Sequence, residues 1–170
     1  MGIDLKNWMQ NLPDGSDLLA LNLCGTHDCV TQHIRLPHFF CCQDLTIYEQ
    51  LLLGVRALDI RVRADGKCLT MVHGIFPAYN HSCHRANLMD MGDVLSQCYR
   101  FLDECPGEAV VFQFKNDNGK ENEQCFDNLF YTYIKGKEPY WYLEDQVPTL
   151  GAARGKLVLI RRCKMEPKPD

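Results

Sequence analysis

The chain has 170 residues, room for one domain that buries roughly 68–70% of its unfolded surface on folding. A hydrophobic content of 46% excludes a disordered chain, and a net charge of −4 excludes the basic stripe that nucleic-acid binders carry. No apolar run approaches the ~18 residues of a membrane span, and no basic-then-apolar leader opens the sequence. Lys6 stands where a myristoylation signal wants Ser or Thr. The expectation is a soluble protein, or one whose leader lies elsewhere, with its compartment open.

Ten cysteines are many, yet the chain is too long to need disulfide staples, and it holds no pair of CxxC motifs. Cys41 and Cys42 are adjacent. His81, Cys83 and His84 form a small cluster that reads either as zinc ligands or as ordinary loop residues. Asn80-His81-Ser82 is a glycosylation sequon if the protein is secreted by a eukaryote.

In chain order, Met1–Ser16 is a polar lead-in with a Pro13-Asp14-Gly15 turn. A first strand is predicted at Leu21–Cys24, broken by Gly25 so that Thr26, His27 and Asp28 leave its end. Gln32–Cys42 reads as a loop, in which Phe39-Phe40 either dips into a lipid interface or packs beneath the loop. Thr46 and Glu49 form a capping box for a short helix through Gln50–Leu53 that stops at Gly54.

Ala57–Arg63 alternates as a strand, with Leu58, Ile60 and Val62 on one face and Asp59, Arg61 and Arg63 on the other. Cys68–His73 is the next strand, and the link Ala64–Lys67 is short enough to make a hairpin. Asp90–Cys105 is an amphipathic helix capped by Asp90 and ended by Pro106-Gly107. Ala109–Lys115 is a buried strand, and a polar loop Asn116–Gly119 follows it.

Lys120–Tyr133 is predicted helical, with Cys125, Phe126, Leu129, Phe130 and Tyr133 inward. Pro139–Pro148 is irregular, Lys156–Arg162 is the last strand, and Lys164–Asp170 is a tail without core-forming content. Neither an internal repeat nor a second domain is visible; residues 1–170 read as one unit.

Buried strands alternating with amphipathic helices predict an α/β fold with a largely parallel sheet. His27, Arg61, His73, Lys115 and Arg162 each stand at a strand end. In a (β/α) barrel such ends converge on one face. Two histidines among cations describe a pocket for an anion undergoing acid–base chemistry, and a phosphodiester is the natural candidate.

Cys24-Gly25-Thr26-His27-Asp28 resembles the PGTHDS signature of the phosphatidylinositol-specific phospholipase C catalytic (X) domain, in its bacterial type. Gln43–Arg63 resembles that family's second block, and His73-Gly74 its histidine-glycine. Phe112–Lys115 resembles its lysine strand, and Leu150–Arg162 its RGKIVLL-R block. The blocks occur in order over nearly the whole chain.

The resemblance implies a phosphodiesterase acting at a membrane surface on phosphatidylinositol or a glycosylphosphatidylinositol anchor, without metal or other cofactor. His27 would be the general base on the inositol 2-hydroxyl, giving a cyclic inositol phosphate. His73 would be the general acid on the diacylglycerol oxygen, with Asp28 as its partner. Arg61 would stabilise the phosphate oxygens. Asp59 would orient Arg61, and Lys115 and Arg162 would contact inositol or phosphate. Arg61 occupies the place of a calcium-binding carboxylate in calcium-dependent relatives, and Asp28 the place of an asparagine.

Cys24 and Cys29 depart from the signature's Pro and Ser. The larger departure is length. A (β/α)₈ barrel takes about 250 residues, and this chain offers about five strands, so the expected fold is a distorted, incomplete TIM-like barrel. A carboxylate to orient His27, and residues to close the far side of the inositol pocket, have no visible counterpart. The unpaired sheet edges of an open half-barrel favour association. A missing C-terminal half or a second chain would complete it.

Two other readings stay open. A glycerophosphodiester phosphodiesterase barrel would carry metal-binding carboxylates where Asp59-Ile60-Arg61 stands. A catalytically inactive module would bind phosphoinositide head groups without turnover.

Overall fold

The structure is a computed structural model and describes residues 2, 4–65, 67–82, 87–117 and 123–163. A seven-stranded sheet forms its centre. β2 (Ala57–Asp65), β5 (Val110–Asn116) and β7 (Leu157–Arg161) run parallel side by side. The short β1 (Gly25–Thr26) adds to β2 and β6 (Trp141–Tyr142) to β7, both also parallel. β3 (Cys68–His73) folds back antiparallel on β2, as the short link required, and β4 (Phe76–Pro77) on β3. Gly66 of the expected turn lies outside the described residues. Among the described residues the sheet does not close on itself.

Helices cover one face. The short α1 (Pro37–Phe40) lies in the expected loop, where Pro37 opens its first turn. α2 (Ile47–Leu52) begins at the predicted Thr46–Glu49 capping box, and Gly54 follows it at φ +94°, open to glycine at little cost. α3 (Met91–Glu104) is capped by Asp90 and buries Val94, Leu95, Cys98, Phe101 and Leu102. α4 (Glu123–Ile134) buries Phe126 and Phe130 against Phe114 of β5. The Lys120 start predicted for it, and the inward side chain of Cys125, lie outside the described residues, as does the Lys164–Asp170 tail. The main core is the contact of these helices with Leu58, Ile60 and Val62 of β2 and Phe112 and Phe114 of β5. The alternation read in Ala57–Arg63 is thus the division between helix layer and sheet interior.

The first strand departs from expectation. Leu21–Cys24 is half exposed and pairs with nothing as a ladder; the strand is Gly25–Thr26. β2 starts only at Ala57, so the ladder begins at Gly25; just before it the Cys24 carbonyl accepts from the Arg56 and Ala57 N–H groups. Leu21 and Leu23 pack instead against a smaller core of Met9, Leu18, Ala109, Leu150, Ala153 and Val158. Beside α1 and β4, two further elements add to the prediction: β6, inside the stretch read as irregular, and α5 (Leu150–Ala153), capped by Thr149.

A buried ion pair anchors the end of the sheet away from the predicted site. Arg56 and Glu108 are both fully buried, with Nη2 and Oε2 2.7 Å apart. Arg56 also donates to the carbonyls of Leu51, Val55 and Lys6. The other Glu108 oxygen accepts from the Met9 and Gln10 N–H groups at 3.0 and 3.1 Å. The N-terminal segment is thereby tied to α2 and β5 by a network in which each charge is saturated. Removing one member leaves an uncompensated buried charge. Glu108→Ala should therefore lower unfolding stability by about 3–5 kcal/mol, read from the shift of a urea transition, whereas a loss under about 1 kcal/mol would show the network to be replaceable.

Candidate active site

The carboxyl ends of the parallel strands meet where β1 runs into a tight loop. Gly25 is needed there: a Cβ would stand 3.2 Å from the Ala57 Cβ and 3.3 Å from its carbonyl oxygen. Asp28 takes a left-handed backbone, φ +45°, which an aspartate tolerates better than most residues. Its N–H donates to Asp59 Oδ2 at 3.3 Å, and the Cys29 N–H to the Asp59 carbonyl at 3.3 Å. The second strand thus holds the loop of the first, and His27 is carried outward while Asp28 points into the protein.

Every site residue predicted from the sequence converges here. Asp28 is fully buried and lies between both histidines: His27 Nε2 is 3.4 Å and His73 Nε2 3.3 Å from its Oδ2. Arg61 Nε is 3.2 Å from the other oxygen. The two imidazole rings stand edge to face with centroids 6.4 Å apart. Arg61 Nε also donates to Asp59 Oδ2 at 3.1 Å, the orienting contact expected of Asp59. Lys115 pairs with Asp117, and Arg162 approaches Asp59 at 4.0 Å. His27, Asp59, Gln113 and Arg162 border a cavity of about 280 Å³ that opens beside β1.

A carboxylate does stand beside His27. Asp59 Oδ2 lies 3.1 Å from His27 Nδ1 and Arg61 Nη2 3.3 Å from the same nitrogen, so Nδ1 faces Asp59 when it carries the ring proton and accepts from Arg61 when it does not. Asp59 was assigned to Arg61 alone because sequence spacing shows a neighbour on the same strand and not one across the sheet.

Asp117 was also missed. Its carboxylate takes Lys115, accepts the Gly74 N–H at 2.7 Å and lies 3.9 Å from Arg61. The signal for it was present, since residues two apart on a strand share a face, but the strand was ended at Lys115. Phe40 divides the Phe39-Phe40 pair: it stacks on Phe76 at 4.2 Å, and its carbonyl meets His73 Nδ1 at 3.2 Å. Phe39 remains 80% exposed, so the buried reading holds for Phe40 alone. Cys83 and His84 of the predicted cluster lie outside the described residues.

The charges sort by environment. Burial pushes the Asp28 carboxyl above the ordinary carboxylate range, against the pull of Arg61, His73 and His27. Desolvation also works on Asp59, but hydrogen bonds from Arg61, the Asp28 N–H and Gln113 outweigh it and hold that carboxyl low. Asp117 is likewise held low, its desolvation outweighed by Lys115 and the Gly74 N–H. Arg61, though partly desolvated, is held firmly charged by Asp59, Asp28 and Asp117.

No family model matches the chain. Among curated proteins it is 27% identical to the 1-phosphatidylinositol phosphodiesterase of Listeria monocytogenes over 93% of its own length and 49% of that protein's. It is 28% identical to that of Staphylococcus aureus, over 92% of this chain and 51% of the relative. The chain is a homologue of the bacterial phosphatidylinositol-specific phospholipases C. Solved structures agree: the S. aureus enzyme superposes with a TM-score of 0.78 at 28% identity, covering 94% of this chain and 53% of that one. The L. monocytogenes enzyme gives 0.76 at 27%, covering 94% and 57%. The chain therefore spans about half the length of the curated relatives it matches, and its mixed α/β sheet is a partial TIM-like barrel.

A carboxyl raised on folding binds its proton more tightly in the native state than in the unfolded one. For Asp28 the resulting stability is fully present below the ordinary carboxylate pKa and is lost as pH rises from there through the raised native value. Asp28→Asn escapes that loss. In thermal melts at stepped pH, its stability relative to wild type should improve from about pH 4 toward neutrality. A relative stability that falls over the same range would mean that the cations around Asp28 outweigh its burial.

Proposed function

We propose that the chain carries the acid–base half of a phosphatidylinositol phosphodiesterase, cleaving the glycerol–phosphate bond to give diacylglycerol and a cyclic inositol phosphate. The observation that carries this is the pair of imidazoles facing one buried carboxylate beside Arg61.

His27, with its ring proton on Nδ1 facing Asp59, takes the proton of the inositol 2-hydroxyl on Nε2; Asp59 and Asp28 then stabilise the imidazolium it becomes. The attacking oxygen forms a bond to phosphorus while the bond to the glycerol oxygen breaks. His73 is suited to the acid role because Nδ1 faces the Phe40 carbonyl, which only accepts, and Nε2 faces the Asp28 carboxylate. Both ring nitrogens thus face acceptors, the surroundings a proton donor needs. Arg61 supplies a planar pair of donors to the phosphate oxygens, and Lys115 and Arg162 supply positive charge to phosphate or inositol.

No metal is required in this scheme. A calcium ion wants six to eight oxygen ligands, and the place beside Asp28 is taken by a guanidinium. The substrate comes from a lipid surface: Leu36, Phe39 and Ile75 are exposed apolar side chains on the loops beside His73. The unclosed sheet and the half-length match support a second element of the proposal, that a further polypeptide segment completes the pocket around inositol.

The test is cleavage of phosphatidylinositol vesicles by the chain in excess chelator, beside His27→Ala and His73→Ala. Wild-type turnover, reduced at least about a hundredfold in each variant, is the expected result. A folded wild type that binds vesicles without turnover, and with no sensitivity to His27→Ala, would favour an inactive head-group-binding module.

A further inference from the structure

Cys42 stands at the mouth of the site and has no part in the proposed chemistry. Its Sγ, an oxygen of Asp28 and a ring nitrogen of His27 all lie within 4.8 Å of one another. The position is fixed by its backbone: the Cys42 N–H donates to Thr31 Oγ1 at 2.8 Å, and that hydroxyl donates to the Asp28 carbonyl at 2.9 Å. The thiol makes a long contact, 3.7 Å, to the Phe40 carbonyl. Among the described residues neither Asp28 oxygen receives a hydrogen bond, although the side chain is fully buried. Cys42 and His27 are open to solvent, which gives an ion a way in.

We propose that His27, Asp28 and Cys42 form a three-ligand site for a thiophilic divalent cation of the zinc class, and that the bound cation inhibits by occupying the base. One nitrogen, one oxygen and one sulfur donor suit a tetrahedral ion that keeps a fourth position for water or phosphate. As the metal–sulfur bond forms, the thiol proton leaves to solvent. The thiolate and the carboxylate then neutralise the dication, so Arg61 keeps its contact with the other Asp28 oxygen without facing a net positive charge. Metal binding at His27 Nε2 places the ring proton on Nδ1, where Asp59 Oδ2 at 3.1 Å can take it and the Arg61 Nη2 contact is given up, the carboxylate–histidine pairing that fixes ligating imidazoles elsewhere. A calcium ion finds too few oxygens here. The inhibitory part rests on the function proposed above; the binding part does not.

Cobalt(II) is the probe for binding, because a thiolate ligand gives it a charge-transfer absorption and a tetrahedral site gives it strong visible bands. Titrated into the full chain, it should show both, and Zn2+ should displace it. Cys42→Ser should lose the thiolate band and bind Zn2+ at least about tenfold more weakly, as should His27→Ala, while Cys41→Ser matches wild type. In the vesicle assay without chelator, added Zn2+ should stop wild-type cleavage and spare Cys42→Ser, whose activity in chelator equals wild type.

A cobalt complex without a thiolate band, or one unchanged in Cys42→Ser, would overturn the site. A site that binds while Zn2+ leaves cleavage intact, or inhibits Cys42→Ser equally, would overturn the inhibition. If the wild type cleaves nothing even in chelator, the catalytic reading fails and the inhibitory part with it, while the cobalt spectra still decide the binding.

Discussion

The site is built on one buried carboxylate. Asp28 has lost its water, and burial alone would make it a neutral acid; Arg61 and the two histidines pull it back toward charge. Each of those groups is held in turn by something else. Asp59 grips Arg61 and His27, the Phe40 carbonyl holds His73, and Asp117 supports Lys115 from the end of the same strand. Among the described residues the arrangement leaves the two carboxylate oxygens of Asp28 without a hydrogen bond, which a purely structural carboxylate rarely tolerates. Such an imbalance is what a site that must exchange protons requires, because a saturated network has no reason to give one up.

The contrast with Arg56 and Glu108 makes the point. That pair is equally buried, but its carboxylate accepts two backbone N–H groups and its guanidinium reaches several carbonyls. It lies where α2, β5 and the N-terminal segment meet, away from the strand ends that carry the histidines. One end of the sheet uses its buried charge for stability and the other holds the groups proposed for chemistry, as the layout of (β/α) barrels leads one to expect.

What was legible in the sequence is what depends on local periodicity. The alternation of Ala57–Arg63 separated core from site, and the capping residues Thr46, Glu49 and Asp90 placed two helix starts. What was not legible depends on partners far along the chain. Leu21–Cys24 has the composition of a strand, but the ladder begins only where Gly25 meets Ala57. Trp141–Tyr142 has aromatic side chains and a preceding proline, and becomes a strand only because Leu157–Val158 lies alongside. Among the site residues Asp117, just past the end of β5, was not found, and the others were found without the contacts they make across strands. Asp59 as the partner of His27 is a tertiary fact, and so is the approach of Cys42, which a loop brings back through Thr31.

The half-length match to the bacterial enzymes bears on where function resides. His27 follows β1, Arg61 lies on β2, His73 ends β3, Lys115 lies on β5 and Arg162 follows β7, so every group assigned a catalytic or binding role comes from strands the chain contains. Among the described residues the open sheet carries the groups proposed for chemistry but leaves one side without cover. Ile160 of β7 is 40% exposed, and with Leu21 and Leu23 it borders an apolar cavity of about 580 Å³ on the uncovered side. Apolar surface in that position stabilises only when something lies over it. The proposed acid, base and charge stabiliser therefore sit on a framework already tied together at its far end, while the dry environment that would strengthen electrostatic catalysis depends on what lies over this face.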